Sequence, residues 1–184
     1  MAISAPTTVG QVLTSAYVNN NINSGLVYVS TTSLTASGQN IAGAFSSTYT
    51  NYLIVINSLV ASATNTSISF RLGSSTTRTE YKWAGYNVNV GSGVMASDTG
   101  ASVTAAQIGY SKGVDGQDTS YIFQLQNPQL ATRKTYSSTW SNGQFSGTTS
   151  GVDSLQSAQT DINIICGSGT ITGGTVTIYG YRIA

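Results

Sequence analysis

The chain contains no histidine and a single cysteine among 184 residues. Histidine is the commonest general base near neutral pH and the commonest metal ligand, so its absence removes the usual catalytic triads and most transition-metal sites. Cys166 has no partner for an internal disulfide, and it lacks the neighbouring base that activates a nucleophilic thiol. It sits in the apolar run Ile164-Ile165-Cys166-Gly167 and reads as a small buried hydrophobe. Charge is the second scarcity. Seven Lys+Arg and six Asp+Glu make up 7% of the chain, against about 25% in an ordinary soluble domain. A net charge of +1 leaves no electrostatic footprint for nucleic acid or an anionic membrane. No run approaches the ~18 apolar residues of a membrane span. The opening Met1-Ala2-Ile3-Ser4-Ala5-Pro6 has neither the basic region nor the apolar run of a signal peptide.

Hydroxyl residues fill the space left by charge, with 27 Ser and 26 Thr. The hydrophobic fraction is 40%, including 11 Tyr, 4 Phe and 2 Trp. That argues against disorder and supplies the large side chains of one sizeable core. A chain of this length buries roughly 70% of its extended surface without staples. Low charge also removes the usual protection against association, and edge strands without Lys or Pro invite pairing. The edges are therefore expected to be covered, by oligomerisation or by docking on a larger body.

Residues 1–25 differ from the rest. Residues 1–11 read as an extended arm, followed by a short helix with Thr14 as N-cap and Leu13 and Val18 as a staple across it. Tyr17, Val18 and Ile22 fall at helical spacing, and Gly25 is a natural stop. From residue 26 to 184 the pattern is β: Leu26–Ser30, Ile41–Phe45, Tyr52–Val60, Ser67–Leu72, Tyr81–Val90, Val103–Tyr110, Ser120–Gln126, Lys134–Ser141, Asp161–Cys166 and Thr175–Ile183. Three triplets alternate onto one face each: Ile68/Phe70/Leu72, Tyr121/Phe123/Leu125 and Ile162/Ile164/Cys166. Residues 91–100 and 143–151 read as longer loops. Gly167-Ser168-Gly169 and Gly173-Gly174 read as brackets of a hairpin into the last strand. The expected fold is an all-β antiparallel sandwich, jelly-roll-like, behind an N-terminal arm with a short helix.

No catalytic constellation emerges, and neither a cofactor nor a metal is expected. Asp115 and Asp118 share a glycine-containing turn, where Asp is favoured for local hydrogen bonding; a weak calcium site is the alternative. Gly91-Ser92-Gly93 lacks the lysine and the following helix of a phosphate loop. Cations stand near aromatics twice, Arg78 with Trp83 and Arg133 with Trp140. Such pairs build stacking platforms for sugars or bases, or else are cations snorkelling over exposed rings.

Three segments carry a resemblance: residues 12–26 (VLTSAYVNNNINSGL), residues 44–56 (AFSSTYTNYLIVI) and residues 169–181 (GTITGGTVTIYGY). They resemble segments of accessory virion proteins of tailed bacteriophages. The resemblance implies a non-enzymatic β-sandwich protein, a homotrimer on the outside of the particle. One implied role is capsid decoration, with residues 1–25 lying on the major capsid protein and Leu13, Tyr17, Val18 and Ile22 as anchors. The other is a short tail fibre or receptor-binding protein docked on the tail, with Arg78, Trp83, Arg133 and Trp140 as candidate glycan or receptor contacts. A lectin-like module is a third reading. The short chain without a fibre shaft favours decoration.

Overall fold

A computed structural model describes residues 25–36, 38–112 and 118–181. The arm, the short helix and the anchors Leu13, Tyr17, Val18 and Ile22 lie outside the described residues, as does Asp115. Twelve strands follow one another: β1 (Leu26–Ser33), β2 (Gln39–Ile41), β3 (Asn51–Ala61), β4 (Thr66–Leu72), β5 (Tyr81–Asn89), β6 (Met95–Val103), β7 (Ala106–Ser111), β8 (Thr119–Gln126), β9 (Lys134–Ser141), β10 (Phe145–Asp153), β11 (Ile162–Cys166) and β12 (Ile171–Tyr181). No helix long and apolar enough to cross a membrane occurs among the described residues.

The strands form two antiparallel sheets. One has eight strands in the order β1-β12-β3-β8-β9-β10-β5-β6, the other four in the order β2-β11-β4-β7. Period-two alternation explains which side of each strand is buried. Ile68, Phe70 and Leu72 of β4, Tyr121, Phe123 and Leu125 of β8, and Ile162, Ile164 and Cys166 of β11 all point into one shared core, as their spacing predicts. Rings join the two sheets there. Phe70 stacks on Phe123 at 5.4 Å and meets Tyr136 edge-on at 5.0 Å. Each such pair contributes about 0.5–1.5 kcal/mol beyond the area it buries.

Toward β9 the join becomes polar. Tyr136 donates its hydroxyl to the Gln107 carbonyl at 2.6 Å, and Ser138 donates to the Ile108 carbonyl at 2.9 Å. The register of β7 against β4 shifts at this point, passing from Gly109 to Gln107 and leaving Ile108 as the extra residue. The bulge turns a backbone carbonyl toward β9, where a hydroxyl from the facing sheet satisfies it.

Four sequence expectations need correction. Ile41 ends β2, and the apolar run after it is a turn through Gly43 (φ 64°) that delivers Ala44 and Phe45 to the core as loop residues. The run Val103–Tyr110 is not one strand but the end of β6 and most of β7, in different sheets. Residues 91–100 contain most of β6, and residues 143–151 contain most of β10. Both are glycine-rich and weak in β propensity, yet rings on neighbouring strands crowd Gly100, Gly147 and Gly151. A Cβ at Gly147 would stand 2.9 Å from the Trp140 ring, and one at Gly151 would stand 2.7 Å from the Tyr136 ring. The Gly167–Gly169 turn joins strands of different sheets rather than a hairpin, and Gly173-Gly174 lies inside β12, where its register against β3 slips.

Candidate functional site

Of the four cation and aromatic positions singled out in the sequence, the structure unites only the two tryptophans. Arg78 is drawn into a buried ion cluster between β4, β5 and β10. Its guanidinium reaches Asp153 at 2.5 Å, Glu80 at 3.3 Å and the Leu72 carbonyl at 2.8 Å, and it lies 5.0 Å above the Tyr81 ring. Burial works to lower the Arg78 pKa, but the bond to Asp153 and the other local charges carry it upward. Lys134, 1% exposed, gives its ammonium to the carbonyls of Leu155 at 2.6 Å and Ser157 at 2.5 Å, and burial pushes its pKa down. This cluster pins the segment after β10. It leaves Arg133 exposed, just before β9. No group of three or more His, Cys, Asp or Glu side chains placed to hold a metal occurs among the described residues.

The outward side of the eight-stranded sheet is nearly devoid of charge. One cross-strand row runs over all eight strands: Thr31, Thr177, Val55, Ile122, Thr139, Thr148, Tyr86 and Ser97. The next row runs Tyr28, Tyr179, Leu53, Gln124, Ser137, Ser150, Ala84 and Thr99. Tyr28, Tyr86 and Ile122 on these rows are 60%, 53% and 54% exposed. Lys82 is the lone charge on this side of the strands among the described residues. Eight strands of about eight residues present a face of roughly 34 by 25 Å. That area, roughly 850 Å², matches the ~800 Å² per partner of a standard stable interface.

On the opposite side of β5, β9 and β10 lies a cleft of about 210 Å³ lined by Asn65, Asn87, Tyr110, Trp140 and Phe145. Asn65 comes from the turn before β4, held at positive φ (52°), with its backbone N–H bonded to the Lys112 carbonyl at 3.2 Å. A smaller space of about 10 Å³ adjoins the cleft, sharing Asn87, Tyr110 and Trp140 and adding Trp83 and Asp98. Trp140 is 3% exposed, and its ring is clamped between Gly109 of β7 and Gly147 of β10. Its Nε1–H is buried and has no acceptor among the described residues, which costs about 1–3 kcal/mol. Tyr110 meets Trp140 edge-on at 5.9 Å and donates its hydroxyl to the Asp98 carboxylate. Burial and that bond push its hydroxyl pKa up. The side-chain amides of Asn65 and Asn87 have no hydrogen-bond partner among the described residues. Asn65, Asn87, Tyr110 and Phe145 carried no site signal in the sequence, because five separate segments supply the lining and no two neighbours in sequence share it.

No protein-family model matches the chain, and no curated protein matches it.

Proposed function

We propose that the chain is a non-enzymatic structural protein of a tailed-phage virion, a trimeric decoration protein on the outside of the head that stabilises the shell. The observation that carries this reading is the charge-poor outward face of the eight-stranded sheet, where Lys82 is the one charge on the strands among the described residues. A face of interface size with so little charge suits permanent packing against further copies and the shell, and is a liability on a free monomer. In a threefold ring the contact is heterologous, so this face meets a different surface of the next copy.

The strand order supports a jelly roll. In such a fold eight strands run in two four-stranded sheets ordered 1-8-3-6 and 2-7-4-5. Setting aside β9-β10 and β5-β6, the chain reads β1-β12-β3-β8 over β2-β11-β4-β7, which is that order. The four remaining strands are two hairpins, inserted between β4 and β7 and between β8 and β11, that widen one sheet from four strands to eight. Viral capsid and lectin domains are among the users of the fold. Residues 1–24 are assigned to docking on the major capsid protein, in line with the resemblance of residues 12–26.

Labelling the protein on intact virions and locating it by electron microscopy tests the proposal. Label spread over the head, lost when residues 1–24 are deleted, is expected; label confined to the tail overturns it. A second reading, a short tail fibre or receptor-binding protein, is favoured by one observation. The β5–β6 turn is tightly hydrogen-bonded through Asn89, yet it presents Val90, Val94 and Met95 at 63%, 64% and 67% exposure. A rigid apolar tip suits contact with a host surface.

A further inference from the structure

We propose that the cleft bounded by Asn65, Asn87, Tyr110, Trp140 and Phe145 binds a single neutral sugar ring. Size limits the ligand first. At about 210 Å³ the cleft is smaller than the roughly 300–1,000 Å³ of sites for drug-sized molecules, so it admits one ring rather than a chain. Charge limits it next. None of the five lining residues is charged, and the neighbouring Asp98 is already engaged by the Tyr110 hydroxyl and the Thr99 backbone N–H at 2.9 Å. An anionic ligand meets no cation among the five described lining residues and would face that carboxylate.

The remaining chemistry is that of a polyol with apolar C–H faces. The exposed Asn65 amide and the half-buried Asn87 amide each offer one acceptor and two donors, which suits hydroxyl groups. Tyr110 and Phe145 supply aromatic surface for the C–H side of the ring. A planar base fits less well, because Gly109 and Gly147 already cover the Trp140 ring that would stack on it. Asn87, Trp140 and Phe145 lie on the inward side of their strands, so the cleft stays open when the outward face is covered. The proposal is therefore independent of head or tail placement.

The test uses the full-length protein on an array of neutral hexoses, N-acetylhexosamines and their disaccharides, with uronic acids, sialic acids and aromatic peptides printed beside them. Hits are measured by titration calorimetry. Saturable binding of at least one neutral sugar is expected, weakened tenfold or more by Asn87→Ala and by Asn65→Ala, and partly kept by Asn87→Gln. Unchanged thermal midpoints establish that these variants fold, and Phe145→Leu provides a further variant on the aromatic wall. Binding of no neutral sugar overturns the proposal. So does preference for an acidic sugar or an aromatic peptide, or neutral-sugar binding that all the variants leave unchanged.

Discussion

Asp153 accepts a hydrogen bond from the Arg78 guanidinium at 2.5 Å across 75 residues of sequence. In the sheet it also stands in register with Lys134 on one side and Tyr81 on the other. One carboxylate that is 2% exposed thus pairs with Arg78 and lends its charge to the neighbouring Lys134.

Removing it in Asp153→Ala takes from Arg78 the nearer of its two carboxylates, leaving Glu80 at 3.3 Å, and takes from Lys134 a nearby negative charge. Breaking a buried pair from one side costs about 3–5 kcal/mol, and in a domain of this size each kcal/mol lowers the melting midpoint by about 2–4 °C. Calorimetry is expected to show a fall of about 10 °C. A change within about 2 °C would show that water already solvates the cluster.

Ile122 sits near the middle of the outward face, 54% exposed, between Val55 and Thr139. Ile122→Glu places a charge where the face is to be buried but disturbs no core contact. Light scattering is expected to show loss of assembly with the melting midpoint of the isolated domain nearly unchanged. An Ile122→Glu protein that keeps the oligomeric mass of the parent removes this face from the interface.

Gly109 has φ +154°, and a Cβ there would stand 2.5 Å from the Trp140 ring. Gly109→Ala forces the indole or the β7 bulge to move, at about 1–3 kcal/mol. The expected result is a lowered midpoint together with shifted tryptophan emission. A shift in neither would show that the clamp on Trp140 is loose.

Among the described residues, four tyrosines have raised pKa values in the folded protein. Burial is the leading cause in all four, carrying Tyr81 to about 12 and pushing Tyr110, Tyr121 and Tyr136 upward. The folded state thus favours the neutral phenol. Its contribution is complete below the unfolded value near 10 and is lost as pH rises through the folded values. Stability measured by denaturant is expected to hold from neutral pH to about 10 and then to fall steeply, with tyrosinate absorbance appearing together with unfolding. Tyrosinate formation from these residues before unfolding would contradict the assignment.

Much of the core was legible because strand alternation is a local property. Ile162, Ile164 and Cys166 declare a buried face by spacing alone, whatever they pack against. The corrections share one cause. β10 reads Phe145-Ser-Gly-Thr-Thr-Ser-Gly-Val-Asp, with little to mark it as a strand, yet it pairs along its length with both β5 and β9. Its glycines answer to Tyr136 and Trp140, which lie on another strand. The same holds for Arg78 and Trp83, close in sequence but divided between an ion cluster and the edge of the cleft.

The amino-acid sequence by itself determined an all-β chain, because β-branched and aromatic residues at period two bury one side of a pleated strand wherever they occur. It also determined the poverty of charge, which is composition and needs no fold to express. Only the tertiary structure decided where the few charges went. Asp153, Arg78 and Lys134 meet because the register of β5, β10 and β9 brings Asp153 beside Lys134 and the Arg78 segment, and Lys82 is left as the one charge on the outward side of the strands among the described residues. It decided the cleft too, since five residues scattered from Asn65 to Phe145 converge only when two sheets close over one core.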